Sequence, residues 1–221
     1  MNVLGVFMPL PSRDVLLNSI RKALENSKKR NFKQSVELIV VLKDVDLKSP
    51  SMKIREAVFL PRGRGREAKI CVVGDGDFLE AAKEAGAYLT IPSSDLKNLT
   101  KKQSKKIAST CDWILVKSEL MGVVGRVLGP ALGPRGKIPV PVPSGANIKA
   151  IVSRYKNTVL VRVKDQPQIM TLIGTEDASP EDLVENAIVI LSLIESKLPA
   201  GSANIKQIYV KTTMGVPIEV L

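Results

Sequence analysis

The chain has 221 residues, of which 33 are Lys or Arg, 22 are Asp or Glu and none is His, for a formal net charge of +11. Without imidazole there can be no Ser-His-Asp or Cys-His catalytic unit and no histidine metal ligand, which excludes the commonest hydrolytic and zinc chemistries. A positive excess of this size favours binding to a polyanion such as nucleic acid, but it also increases solubility. Composition alone does not distinguish a nucleic-acid-binding protein from a highly soluble one. A hydrophobic content of 44% allows real cores, and the length predicts one large or two small domains.

Charge distribution, hydropathy and cysteine content indicate where the charge lies and in which cellular compartment we expect the protein. Residues 1–66 hold 14 basic and 6 acidic residues, whereas residues 153–221 hold 7 and 8. No run of about 18 apolar residues could span a bilayer and the apolar stretch 1–11 lacks a leading basic region, so we expect a cytoplasmic protein with no membrane partner. Cys71 and Cys111 lie in separate apolar segments, and we expect reduced core thiols rather than a disulfide. We expect no metal and no cofactor.

The first part of the chain reads as one helix and two strands. Ser12 caps a predicted helix over residues 13–29, and alternating apolar residues predict strands over 35–43 and 52–60. The sequence PRGRGR at 61–66 has the composition of a linker. Because one helix and two strands cannot close a core, this part needs a partner from elsewhere in the chain.

The middle and the end differ in pattern. Predicted strands alternate with predicted helices, which indicates a small parallel α/β sheet; the strands cover 69–73, 87–91 and 112–117, and the helices 78–85, 96–109 and 120–128. After a Gly/Pro-rich stretch come a helix over 147–155, a hairpin over 158–163 and 168–173, a helix and a strand over 205–211. That last helix has Ser179 as cap and Pro180 in its first turn, and we predict an apolar face of Leu183, Ala187, Ile188, Leu191, Ile194 and Leu198.

The simplest architecture brings the two ends of the chain together in one domain. Residues 1–62 and 153–221 are predicted to form a discontinuous α+β domain, and residues 63–152 an inserted Rossmann-like α/β domain. The fold class is therefore mixed, α/β and α+β, in two domains.

A nucleotide site is the main enzymatic alternative. Gly74 and Gly76 follow a predicted strand and precede a helix, as in a dinucleotide fingerprint, but Leu79 stands where the third glycine is needed, and Asp75 and Asp77 would repel a pyrophosphate. We favour an ordinary turn and no enzymatic activity. A nucleotide-dependent enzyme would be revealed by a shift of melting temperature with ATP or NAD, and a basic protein-interaction scaffold by the lack of any RNA preference.

Two further segments are candidates for binding. LGPALGPRGK at 128–137 forms a Gly/Pro-fixed loop from which Arg135 and Lys137 project. TTMG at 212–215 places two hydroxyls, a thioether and a glycine at the end of a strand, a set suited to meeting ribose and base edges by shape and 2′-hydroxyl contact. The alternative for TTMG is a strand that runs into a turn.

Three motifs occur in a fixed order and at characteristic distances: RNFKQSVE at 30–37, LGPALGPRGK at 128–137 and TTMG at 212–215. With them, the chain resembles a known family over essentially its whole length. It is the family of large-subunit ribosomal proteins of the mobile stalk, protein number one of the large-subunit series, in its archaeal form. The resemblance implies a discontinuous RNA-binding domain, a structural role in the large ribosomal subunit and a stalk segment of ribosomal RNA as ligand. It also implies contact with exit-site transfer RNA and its release, and repression of translation through the protein's own messenger RNA. We expect a ribosome-bound cytoplasmic protein that is a monomer off the ribosome.

The resemblance also indicates site residues. The resemblance implies a central RNA contact formed by Phe32, Ser35, Glu37, Thr212, Thr213, Met214 and Gly215. Arg30 and Lys33 are expected to add ionic RNA contacts beside it. Arg135 and Lys137 are expected to make a secondary contact. Thr213→Val is expected to weaken RNA binding with little effect on folding, because a buried polar group of the ribose or base would lose its hydrogen-bond partner.

Overall fold

A computed structural model of the chain describes residues 10–221. The strands are β1 (Ser35–Leu42), β2 (Arg55–Phe59), β3 (Ile70–Gly74), β4 (Leu89–Pro92), β5 (Trp113–Lys117), β6 (Val140–Val142), β7 (Thr158–Arg162), β8 (Gln168–Thr175), β9 (Ile205–Thr212) and β10 (Ile218–Glu219). The α-helices are α1 (Arg13–Glu25), α2 (Asp77–Glu84), α3 (Ser93–Leu96), α4 (Lys101–Thr110), α5 (Met121–Val127), α6 (Gly129–Leu132), α7 (Ile148–Lys156) and α8 (Pro180–Lys197). The apolar stretch 1–11, discussed above as lacking a leading basic region, lies largely outside the described residues.

The chain divides into two domains. The terminal domain contains the described residues up to Arg66 together with Thr158–Leu221, and the inserted domain is Glu67–Asn157. The predicted boundary at 152 cuts α7, but that helix lies wholly in the inserted domain. The reason is its packing: Val152 is buried, and Tyr155 meets Trp113 edge to face with ring centroids 5.1 Å apart.

The terminal domain is built on an antiparallel sheet in the order β10-β9-β1-β8. β1 alternates between buried and half-buried side chains, as its sequence predicts. The start of β1 lies beside the end of β9, where Val36 pairs with Thr212 and Glu37 with Lys211. This register decides which parts of the two chain ends meet.

Helices α1 and α8 pack against each other and against the sheet to close one hydrophobic core. The predicted start of α8 is confirmed: the Asp182 N–H donates to the Ser179 hydroxyl at 3.1 Å, and Pro180 opens the helix. The predicted apolar face is wrong at Ile188, which is 37% exposed, while Val184 is buried. A helix this deeply packed buries a wider face than a single stripe.

The predicted hairpin over 158–163 and 168–173 is wrong. β7 pairs with β2, and β8 pairs with β1, so the two segments belong to different ladders. Local alternation predicts that a strand exists but does not identify its partner, and β1 and β2 supply these partners from about 100 residues away or more in sequence.

The inserted domain confirms the predicted parallel sheet. Its strands run in the order β4-β3-β5-β6, and every neighbouring pair is parallel. The predicted helix over 96–109 begins later than expected, since α4 starts at Lys101 and α3 ends at Leu96. Thr100 caps α4 in a capping box with Gln103. Gly74 ends β3, Gly76 precedes α2 and Leu79 lies within α2, so this stretch joins a strand to a helix as expected for a Rossmann-like domain.

The expectation of reduced thiols is wrong in this structure, where Cys71 and Cys111 form a disulfide. Cys71 lies on β3, and Cys111 ends α4 just before β5, which is the strand next to β3. This arrangement brings the two Cα atoms to 5.8 Å, within the range that a disulfide spans. Both cysteines are fully buried. Among the described residues, none of the helices is long and apolar enough to cross a membrane.

Candidate nucleic-acid interface

Two segments predicted to bind RNA meet at one end of the terminal domain's sheet. The Thr213 N–H donates to the Ser35 carbonyl at 2.9 Å, and the Ser35 N–H donates to the Thr213 hydroxyl at 3.0 Å. These bonds extend the β1/β9 ladder past its last strand residues. We call residues 30–37 and 212–216 the β1/β9 end.

The β1/β9 end presents exposed apolar side chains. Phe32 is 51% exposed, Met214 59% and Val216 67%. All three lie on these two hydrogen-bonded segments, and exposed apolar residues concentrated in one region make it a candidate interaction surface. Val216 was not predicted, because a valine before a proline in a terminal segment carries no distinguishing pattern.

A carboxylate and an ammonium lie side by side at this end. Glu37 and Lys211 are directly opposite each other on β1 and β9, with the Glu37 carboxylate 3.8 Å from Lys211 Nζ. Lys211 also donates to the Thr213 carbonyl at 3.0 Å. The carboxylate therefore keeps oxygen lone pairs for other donors.

Thr212 and Gly215 stabilise the turn that follows β9. Thr212 is fully buried, and its hydroxyl lies 2.9 Å from the Ser27 hydroxyl. A Cβ at Gly215 would come within 2.3 Å of the Thr212 hydroxyl oxygen, so only glycine fits there without movement. The side chain of Thr212 faces the interior, in contrast to its predicted role in direct contact.

Two basic residues, Arg30 and Lys33, flank Phe32 in the sequence. Arg30 is exposed, and Lys33 forms an ion pair with Asp177 at 2.5 Å. Both pair members are about half exposed or more, so the pair holds Lys33 only weakly in place. The charges lie beside the exposed apolar side chains and do not replace them.

Arg135 and Lys137 belong to the inserted domain, where their cations bind backbone carbonyls. Arg135 donates to the Ala131 carbonyl at 3.0 Å. Lys137 donates to the Ala108 carbonyl at 3.0 Å and to the Cys111 carbonyl at 2.6 Å, at the C-terminus of α4. Burial lowers the pKa of Lys137. The Lys137 ammonium thus caps a helix in the described structure.

A second group of cations lies on the terminal domain at the other end of β1, where Arg55 of β2 is directly opposite Arg162 of β7. Burial and the charge of Arg162 lower the pKa of Arg55. Arg162 and Lys164 line a surface pocket with Asp165, Gln166, Gln168 and the half-exposed Met170; Lys164 forms an exposed ion pair with Asp165 at 3.2 Å. We call Arg55, Arg162 and Lys164 the Arg162 cluster; like charges directly across a ladder cost stability, which an anionic ligand would offset.

Three polar residues that support the β1/β9 end were not identified from the sequence: Ser27, Glu176 and Gln34, the last being a buried residue of that end itself. Gln34 is 1% exposed, and its side-chain amide lies between the other two. A signal was present in the sequence, because the alternation of β1 assigns position 34 to the buried side and a polar residue there must find partners.

Comparison with known proteins decides the family. The family model described as "Ribosomal protein L1p/L10e family" matches residues 23–216. The chain belongs to this family. It is 60% identical over 214 residues to the large ribosomal subunit protein uL1 of Staphylothermus marinus, covering 97% of this chain and 100% of that one. The uL1 proteins of Aeropyrum pernix and Sulfolobus acidocaldarius are 54% and 44% identical, covering 95% and 96% of this chain and 98% and 97% of theirs.

Family membership bears on several predictions. It confirms the resemblance to the archaeal form of the stalk protein family, and it confirms that the chain is a ribosomal protein rather than an enzyme. It also supports the predicted location on ribosomes in the cytoplasm. In the part of the chain that the structure describes, no group of three or more Cys, Asp or Glu side chains is arranged to hold a metal ion.

Proposed function

We propose that this chain is a structural constituent of the large ribosomal subunit that binds the stalk segment of ribosomal RNA through the β1/β9 end. The observation that carries the proposal is the exposure of Phe32, Met214 and Val216 on the two hydrogen-bonded segments that also carry Glu37. Apolar side chains pack on sugars and bases, and the carboxylate accepts hydrogen bonds from a base edge or a 2′-hydroxyl.

Charge has a separate role in this proposal. Arg30 and Lys33 lie beside the central contact and attract phosphates, whereas the central contact recognises shape. The surface therefore combines a nonspecific and a specific component. A purely electrostatic binder would not need Met214 and Val216 exposed to water.

Met214→Asp tests the contact. The new carboxylate would face the RNA backbone in a tight interface, and we expect the Kd for a transcript of the stalk segment to rise about a hundredfold, or about 3 kcal/mol. The matched control is Val15→Asp, which adds the same charge at an exposed apolar position in the first turn of α1, in the same domain. Equal affinity of both variants would remove the β1/β9 end from the interface.

We further infer that exit-site transfer RNA binds at the Arg162 cluster. Its two opposed guanidinium groups and Lys164 can pair with successive phosphates, and the cluster lies on the same domain as the stalk contact but at the other end of β1. Arg162→Glu with Lys164→Glu should lower transfer RNA affinity at least tenfold. The same double variant should bind the stalk transcript normally; loss of both RNAs together would argue against two sites.

Regulation of the protein's own synthesis is the third element of the proposal. A structure in its messenger RNA similar to the stalk segment would fit the same β1/β9 end, and the two RNAs would compete. In a cell-free translation system, added wild-type protein should repress its own messenger, and excess stalk transcript should relieve this repression. Met214→Asp protein should not repress.

A further inference from the structure

The buried amide of Gln34 is the centre of a polar network under the β1/β9 end. Its Nε2 lies 2.9 Å from the Ser27 hydroxyl, 3.1 Å from the Lys28 carbonyl and 3.1 Å from the Glu176 carboxylate. Its Oε1 accepts from the Met214 backbone N–H at 3.1 Å. The two N–H groups of Nε2 are shared among these three acceptors and Oε1 has a donor, so the buried amide has its polar capacity satisfied.

The chemistry of the neighbours fixes the orientation of this amide. The Lys28 carbonyl and the Glu176 carboxylate can only accept, so they require Nε2, and the Met214 N–H can only donate, so it requires Oε1. A flipped amide would lose these three bonds at once. The side chain at position 34 is therefore locked in one rotamer and one orientation.

The backbone of Gln34 is held as firmly as its side chain. Its N–H donates to the Glu176 carboxylate at 2.9 Å, and its carbonyl accepts from the Glu176 N–H at 3.0 Å. Ser27, which accepts from the Gln34 amide, also contacts the buried hydroxyl of Thr212 at 2.9 Å. The network thus joins three separate segments, the end of α1, the connection between β8 and α8, and the turn after β9.

We propose that Gln34 is a positioning residue for RNA binding: its amide sets the backbone of Met214 and thereby the exposed side chains of the turn. The inference rests on the proposed stalk contact, which it deepens. Gln34 is 1% exposed and does not touch the ligand, whereas Met214, whose N–H it holds, is 59% exposed. A contact that recognises shape depends on such fixed placement, since a displacement of the apolar group by about 1 Å opens the interface to water.

Gln34→Glu tests the proposal, since it keeps the shape and the acceptor for Met214 but removes the donor. The new carboxylate then faces the Glu176 carboxylate, and repulsion displaces it from its position. We expect the Kd for the stalk transcript to rise at least tenfold while the melting temperature shows a folded protein. Gln103→Glu is the matched control: it makes the same charge change in the inserted domain and keeps the capping box of α4.

The reciprocal change distinguishes positioning from general damage. Adding Glu176→Gln to Gln34→Glu returns an amide donor opposite the new carboxylate, so the double variant should recover most of the lost affinity. Glu176→Gln alone should cost about threefold, because each carboxylate oxygen accepts one bond from Gln34 and the new amide nitrogen would face one of these donors.

The outcomes separate this inference from the proposed function. Wild-type affinity in Gln34→Glu, or no recovery in the double variant, overturns the positioning role. If Gln34→Glu does not fold, unchanged affinity in Glu176→Gln overturns it instead. If Met214→Asp also binds normally, the stalk contact itself has been misplaced; if Met214→Asp fails to bind while Gln34→Glu binds normally, only the positioning role is lost.

Discussion

The hydroxyl of Thr213 makes two hydrogen bonds within the protein, and this changes what its mutation should do. It accepts from the Ser35 N–H at 3.0 Å and donates to the Ser35 carbonyl at 3.3 Å. The sequence predicts that Thr213→Val affects RNA binding and leaves folding almost unchanged. Because the Ser35 N–H would lose its acceptor in a half-buried position, the structure predicts an effect on stability as well.

Thr213→Val should therefore lower the free energy of unfolding of the terminal domain by about 1 to 2 kcal/mol and weaken binding of the stalk transcript. Thr213→Ser keeps the hydroxyl and should retain most of both. Urea unfolding of each variant, followed by RNA titration under conditions where it is fully folded, measures the two effects. A valine variant as stable as the serine variant would show that the Ser35 contacts contribute nothing to the fold.

At the scale of elements, the C-terminus of α4 is held in the inserted domain by two different interactions, one covalent and one by hydrogen bonds. The Cys71–Cys111 disulfide closes a loop with a sequence separation of 40, and the Lys137 ammonium caps the Ala108 and Cys111 carbonyls. The sequence places Cys71 in a predicted strand, Cys111 just before one and Lys137 in a Gly/Pro-rich loop, but it shows neither pairing. Both depend on α4 ending where β5 begins, next to β3.

Reduction of the disulfide should destabilise the inserted domain. A loop of this size restricts the unfolded chain by about 4 kcal/mol on the chain-entropy model. We expect the melting transition of the inserted domain to fall when the protein is reduced before heating, and Cys71→Ala with Cys111→Ala to show the lower transition with or without reductant. Titration of two free thiols in unreduced, denatured protein would contradict the disulfide.

At the scale of the whole molecule, both proposed RNA contacts lie on the terminal domain, which is discontinuous in sequence. Within that domain Phe59 pairs with Thr158, so the chain leaves and returns at adjacent points. Within the inserted domain the Ala68 N–H donates to the Lys156 carbonyl at 2.9 Å, so its ends also meet. Each domain can therefore close on itself.

Replacing residues 67–157 with a short Gly/Ser linker should leave a folded terminal domain. We expect this shortened protein to keep the stalk-transcript Kd within about tenfold of the full chain, because Gln34, Met214 and their partners are retained. Circular dichroism and RNA titration measure folding and binding. Tight binding by the isolated inserted domain, or failure of the joined ends to fold, would overturn the division of roles.

Salt dependence tests how charge is used across the molecule. The formal net charge is +11, but the central contact is apolar with one carboxylate. Binding of the stalk transcript should fall less steeply with salt than binding of unrelated RNA, judged by the slopes of log K against log salt concentration. Equal slopes and equal affinities would indicate a nonspecific electrostatic binder.

The sequence alone determined the elements and the family. Alternation along β1, the Ser179–Pro180 start of α8 and the strand-helix alternation of the middle segment are local patterns, and local patterns follow from the period of a strand or a helix. Three motifs in register identified the stalk protein family, and the family comparison confirms it. Tertiary structure alone decided which strands pair, that Cys71 meets Cys111, that Thr212 points inward and that Gln34 reaches Met214. These are contacts between segments far apart in the chain, and their partners are set by how the helices and sheets pack rather than by any neighbouring residue.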